Sequence, residues 1–172
     1  TLFLRTNWNA PHYRIFAVNM ENPARRHWRE IVPEDKKAVL SGVSLAGGKL
    51  FLNYLRDVNT EIKVVSATGQ PLGEVKLPSL GTAGAPSGRW SSKEAFYSFS
   101  SFHIPRTTFR YHTDTGQQDV WFRSPVEIDS DSLEVSQVWY DSKDGTKVPM
   151  FLVHKKGLEL NGQNPTTSPA TA

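Results

Sequence analysis

Residues 50–78 read LFLNYLRDVNTEIKVVSATGQPLGEVKLP. An apolar run opens the stretch, a polar break at Arg56-Asp57 interrupts it, and a second run over Ile62, Val64 and Val65 follows. Ala67-Thr68-Gly69-Gln70-Pro71 then supplies turn chemistry before a third, shorter run ends at Pro78. Strand-length apolar runs separated by Gly, Pro and polar clusters predict three consecutive β-strands.

The same layout stands on either side. Residues 2–33, LFLRTNWNAPHYRIFAVNMENPARRHWREIVP, and residues 95–125, AFYSFSSFHIPRTTFRYHTDTGQQDVWFRSP, repeat it. Phe3, Phe51 and Phe96 open the three copies at intervals of 48 and 45 residues, and Pro33, Pro78 and Pro125 close them at intervals of 45 and 47. The turns are MENP, ATGQP and DTGQQ, and Gly69 and Gly116 fall where a tight turn uses positive φ. A further strand, VLSGVSLA, precedes the second copy and is set off by Gly47-Gly48. A weaker one, around APSGRWSS, precedes the third.

Four short strands in a repeat of about 45 residues is the period of a β-propeller blade. The expected fold is therefore all-β: an incomplete β-propeller of about three four-stranded antiparallel blades over residues 1–130. An evenly punctuated β-sandwich is the alternative. Helical patterning is confined to PEDKKAVLSG at residues 33–42, enough for one turn. Blades bury their faces against neighbours, and rings close with roughly four to eight of them. Three blades are thus expected to belong to a larger ring, entered in mid-fold by a chain that opens on strand-like residues without an initiator Met.

Composition supports strands over a helical bundle: 11% of the residues are aromatic, with five Trp and nine Phe. The net charge of +3 is spread along the chain, with only short runs at ARRHWR and HKKG. A nucleic-acid partner is not expected from such a distribution. The chain has no cysteine, which rules out disulfides and thiolate metal sites and suits a reducing, cytoplasmic setting. No run approaches the roughly 18 apolar residues of a membrane span. TLFLRTNWN has none of the marks of a signal peptide, so no membrane partner is expected.

Several patterns invite a chemical reading. GVSLAGG at residues 42–48 approaches a Gly-x-Ser-x-Gly nucleophile elbow, but Ala46 takes the fifth position and strand-like residues follow. In the repeat register Ser44 is a blade residue. His12, His27, His103, His112 and His154 show no zinc spacing. Glu34/Asp35 and Asp129/Asp131 pair carboxylates, yet EIDSDSLE lacks the ligand ladder and glycine of a calcium loop and reads as a solvated linker. The aromatics of RWSSKEAFYSFSSF read as blade core. No catalytic, cofactor-binding or metal-binding residue is assigned, and no cofactor is expected.

The last third of the chain sharpens the reading. EVSQVWYDSKDGTKVPMFLVHKKG, residues 134–157, predicts a hairpin turning at Asp144-Gly145. Its VWYDSKDGTKVPMFLVHKKG portion resembles the segment of prolyl oligopeptidases where the chain leaves the propeller for the peptidase domain. TNWNAPHYRIFAVNMENP, FLNYLRDVNTEIKVVSATG and FYSFSSFHIPRTTFRYH resemble that family's closing blades. The wording SKDGTKVPMFLVHKKG fits the prolyl branch better than oligopeptidase B.

The resemblance implies a seven-bladed propeller capping an α/β-hydrolase domain. It also implies cleavage of short peptides after proline by a Ser-Asp-His triad, with the propeller excluding folded proteins. In the family the triad, the substrate-gripping arginine and the Tyr-Gly-Gly strand lie beyond the junction. No position here matches them; SPATA stands where that strand would begin.

Residues 131–160 are accordingly expected to be the junction hairpin that starts a truncated α/β-hydrolase domain, and residues 161–172 a divergent or disordered tail. The expected function is that of a noncatalytic propeller fragment. Its partners would be the rest of the propeller and the hydrolase domain, with short proline-containing peptides as the family's substrates. The alternative is a noncatalytic binding or self-assembly module that pairs through exposed blade edges.

Overall fold

The computed structural model describes residues 1–167, and within them the chain is all-β. The first sheet joins β1 (Leu2–Thr6), β2 (Arg14–Val18) and β3 (Arg29–Val32) in the order β1-β2-β3. The second runs β4 (Val39–Ala46), β5 (Lys49–Arg56), β6 (Asn59–Ser66) and β7 (Pro71–Glu74), again in chain order. The third joins β8 (Thr82–Ala83), β9 (Glu94–Ser100), β10 (Thr107–His112) and β11 (Gln118–Arg123). β12 (Leu133–Asp141) and β13 (Lys147–Lys155) pair with each other as a separate hairpin. Every pairing is antiparallel.

The repeat emerges as three up-and-down sheets. β1, β5 and β9 take equivalent places, as the phenylalanine spacing requires. The first sheet has three strands rather than four, because its copy has no counterpart to β4 and β8 among the described residues. β8 is shorter and earlier than expected. Thr82 and Ala83 pair with Ser100 and Phe99, and APSGRWSS contributes only the isolated bridge Ser87–Phe96. Pro86 has no N–H to donate there, so a continuous ladder cannot form. Residues 33–38 form a loop and turn instead of a helical turn.

The middle sheet explains why residues 50–55 are apolar without alternation. Successive strand residues face opposite sides, and this sheet is covered on both. Leu50, Leu52 and Tyr54 join a core with Ile15, Ala17, Ile31 and Val32 of the first sheet. Phe51, Ile62 and Val64 join another with Ala95, Tyr97, Phe99, Phe109 and Tyr111 of the third. The two seams are tied by polar bonds as well. The Arg5 guanidinium donates to the Leu40 carbonyl at 2.7 Å, and the Asn53 amide donates to the Ala83 carbonyl at 3.0 Å.

Hairpin turns set the register. Gly47 (φ 56) and Gly48 (φ 73) form a two-residue turn between Ala46 and Lys49, the geometry that matches strand twist. Asp57 (φ 47) and Val58 (φ 66) form the equivalent turn between Arg56 and Asn59 without any glycine. Residues 161–167 belong to neither strand nor helix. The remainder of the 161–172 segment, expected to be divergent or disordered, lies outside the described residues.

Candidate functional site

Chemistry and position both draw attention to the end of the sheets from which the hairpin departs. Val39 pairs with Leu55, so the loop at residues 33–38 and the β5–β6 turn lie at one end of the second sheet. The β9–β10 loop (residues 101–106) and the linker to β12 meet there too. Ser130 Oγ donates to the His103 carbonyl at 2.5 Å, and Ser124 N donates to the Arg106 carbonyl at 3.1 Å. A cleft of about 520 Å³ opens between this loop, the linker and the base of the hairpin. Its lining includes His103, Phe109, Arg123, Asp131 and Lys156.

Asp35 is the electrostatic hub of this end. Its carboxylate accepts from Lys37 N at 2.9 Å and pairs with Arg56 at 3.0 Å and Lys63 at 3.4 Å. The Lys37 amide, with the two cations behind it, holds the carboxyl below the usual aspartate range. Glu34 is held low in the same way, first by Lys36 and then by the His12 amide at 2.7 Å. Tyr54 lies beside Lys63, 4.7 Å from its ammonium. Burial, reinforced by the Asp35 charge, pushes its phenol up to about 12.

Ser101 and His103 come closest to a nucleophile and base. Ser101 Oγ lies 2.9 Å from His103 Nδ1, but it also accepts from the amides of His103 and Ile104 at 3.3 Å. A hydroxyl donating to the ring and accepting two amides is the closure of a tight turn. An activated nucleophile needs an oriented acid behind the base as well. Sequence reading missed this pair because Ser-x-His carries no periodic signal.

The residues weighed from sequence are scattered. Ser44 sits within β4 and donates to the Pro86 carbonyl at 2.6 Å, across the seam between the second and third sheets. His12 approaches the Asp35 carbonyl at 3.0 Å, and His27 accepts from Arg26 in an exposed turn. His112 meets Asp119 at 3.0 Å, and His154 meets Glu134 across the hairpin at 3.5 Å. Asp129 precedes a short 3-10 turn at Ser130–Ser132, and Asp131 is its middle residue. Among the described residues, His, Asp and Glu side chains nowhere gather three or more in a group able to hold a metal. Among them, too, no helix is long and apolar enough to cross a membrane.

The hairpin reaches both the second and the third sheets. Gln137 reaches the β5–β6 turn, and Phe151 lies 5.4 Å from Phe102 in the β9–β10 loop.

Stacked antiparallel sheets of three, four and four strands in chain order, each meeting the next across an apolar seam, define a β-propeller segment that does not close on itself. The chain belongs to the prolyl oligopeptidase N-terminal β-propeller domain family, which matches residues 1–124. It is 37% identical over 166 residues to a prolyl endopeptidase of Elizabethkingia miricola, covering 96% of this chain and 23% of that protein. It is 33% identical to the dual function macrocyclase-peptidase POPB of Galerina marginata, covering 94% of this chain and 22% of that one.

Among solved structures, the sheets superpose on one of two prolyl endopeptidases described for inter-domain dynamics in catalysis and specificity. The TM-score is 0.82 at 42% identity, over 91% of this chain and 23% of that one. Prolyl oligopeptidase B of Galerina marginata, bound to a 25mer macrocyclization substrate, gives 0.77 at 33% identity, over 91% and 22%. The chain thus spans 23% of the length of the Elizabethkingia relative that it matches.

Proposed function

We propose that this chain works as the closing part of the propeller in a prolyl-oligopeptidase-type serine peptidase. In this reading residues 1–130 form blades that screen the peptidase site. Residues 131–160 begin the α/β-hydrolase domain, and the substrates of the whole protein are short peptides cleaved after proline. The chain's own part is noncatalytic: it shapes access and carries the polypeptide into the peptidase domain. The supporting observation is the hairpin, seated on the end of two blade sheets, in a chain that aligns over 96% of its length with a prolyl endopeptidase.

The test is turnover of a proline-specific fluorogenic peptide by the purified chain. No release above buffer is expected. Turnover abolished by a serine-directed inhibitor would overturn the noncatalytic assignment.

A second reading is a self-assembling module. The outer face of the third sheet favours it, since Trp121 and Phe122 are 59% and 58% exposed there. Sedimentation distinguishes the two. A concentration-dependent dimer, lost on Trp121→Ser, supports assembly; a well-dispersed monomer removes it.

A further inference from the structure

The linker into the hairpin is tied to the third sheet. Besides short bonds within itself, the linker between β11 and β12 is held to the β9–β10 loop of the third sheet, by Ser124 N on the Arg106 carbonyl at 3.1 Å and Ser130 Oγ on the His103 carbonyl at 2.5 Å. Val126 and Ile128 in the same stretch are exposed. Neither of the two bonds to the loop reaches the second sheet.

Two residues of the hairpin add a tie to the second sheet and a further one to the third. Gln137 and Phe151 are register partners, directly opposite each other on β12 and β13, so their side chains share one face. Gln137 Nε2 donates to the Asp57 carbonyl at 2.7 Å, and its Oε1 accepts from Asn59 Nδ2 at 3.1 Å. Both ends of one amide are thereby committed to the β5–β6 turn of the second sheet. Phe151 meets Phe102, its ring tilted 46°, in the β9–β10 loop of the third sheet. The anchoring turn is itself unusual. Val58 is β-branched and sits at φ 66, a conformation that costs energy and persists where surroundings hold it.

We propose that Gln137 and Phe151 form a clasp that ties the hairpin to two adjacent blade sheets at once. Order in the hairpin and order at this end of the seam between the second and third sheets then become one equilibrium. Opening the hairpin frees the Asp57-Val58 turn and the 101–106 loop together. Pinning either loop orders the hairpin. The clasp lies wholly within the chain and operates whether or not the whole protein is a peptidase.

Amide hydrogen exchange on the full chain tests it. Gln137→Ala is expected to lower protection roughly three- to tenfold in β12, in the β5–β6 turn and in the 101–106 loop together. The core amides of Leu52 and Phe99 should stay unchanged. Gln137→Glu keeps the size but cannot donate to the Asp57 carbonyl, and should give the same linked fall. A fall confined to the hairpin, a fall shared equally by every amide, or no fall at all overturns the clasp.

Discussion

Phe51 and Tyr111 meet edge to face across the seam between the second and third sheets, ring centroids 5.3 Å apart and planes at 87°. Phe51 is fully buried, so its loss leaves a cavity that backbone on both sides limits from collapsing. Phe51→Ala should cost ~3–5 kcal/mol in chemical denaturation. Phe51→Leu should cost less than half as much. Equal, small losses for both would mean that the seam is loosely packed.

Gly69 turns the chain between β6 and β7 at φ +90, and a Cβ there would sit 2.0 Å from the Ile31 carbonyl of the neighbouring sheet. Gly73 also has positive φ, but open space surrounds it. Both Ala variants carry backbone strain of roughly 1–3 kcal/mol. Gly69→Ala must in addition displace a strand of the first sheet. Its denaturation midpoint should therefore fall further than that of Gly73→Ala, and the first seam should open first in exchange.

Val58→Gly should stabilise the chain. Left-handed backbone costs an L-residue ~1–2 kcal/mol, and glycine's added freedom when unfolded returns ~0.5–1 of it. A net gain of roughly 1 kcal/mol is expected, read as a higher denaturation midpoint. A lower midpoint would show that the Val58 side chain makes contacts worth more than the strain.

The pH profile should be limited at both ends by different groups. The Asp35 carboxyl is depressed when folded, so the stability it contributes is full above the unfolded value of 3.8. That contribution disappears as pH falls through the lower folded value. Asp119, held low by Arg110 and then His112, behaves in the same direction. Tyr54 and Tyr97 have the opposite sign. Burial raises both to about 12, so their contribution is full below 10.0 and drains away as pH rises toward 12. Denaturation midpoints across pH should be flat near neutrality and fall in acid and alkali. Asp35→Asn should flatten the acid limb, and Tyr97→Phe the alkaline one.

Much of this architecture was legible because blade packing leaves a periodic mark. Phe3, Phe51 and Phe96 fall at equivalent places because β1, β5 and β9 occupy matching positions in their sheets, and Gly69 and Gly116 mark turns that only glycine accommodates easily. The β5–β6 turn shows in the sequence only as a polar break, because Asp57-Val58 lacks the Asn-Gly or Gly-Gly signal of its geometry. β8 leaves no signal in the sequence because its two residues, Thr82 and Ala83, are too few to show alternation. The contacts at the hairpin end were invisible for another reason. Gln137 lies 80 residues from Asp57, and a single long-range amide leaves no pattern in either neighbourhood.

A chimaera measures most directly whether this chain is a working piece of a prolyl oligopeptidase propeller. The matched 166 residues would replace their counterpart in the Elizabethkingia miricola prolyl endopeptidase. The expected chimaera cleaves a short proline-containing fluorogenic peptide and leaves a folded proline-containing protein intact. A folded, monodisperse chimaera that fails to cleave the peptide, or that degrades the folded protein, would contradict the account.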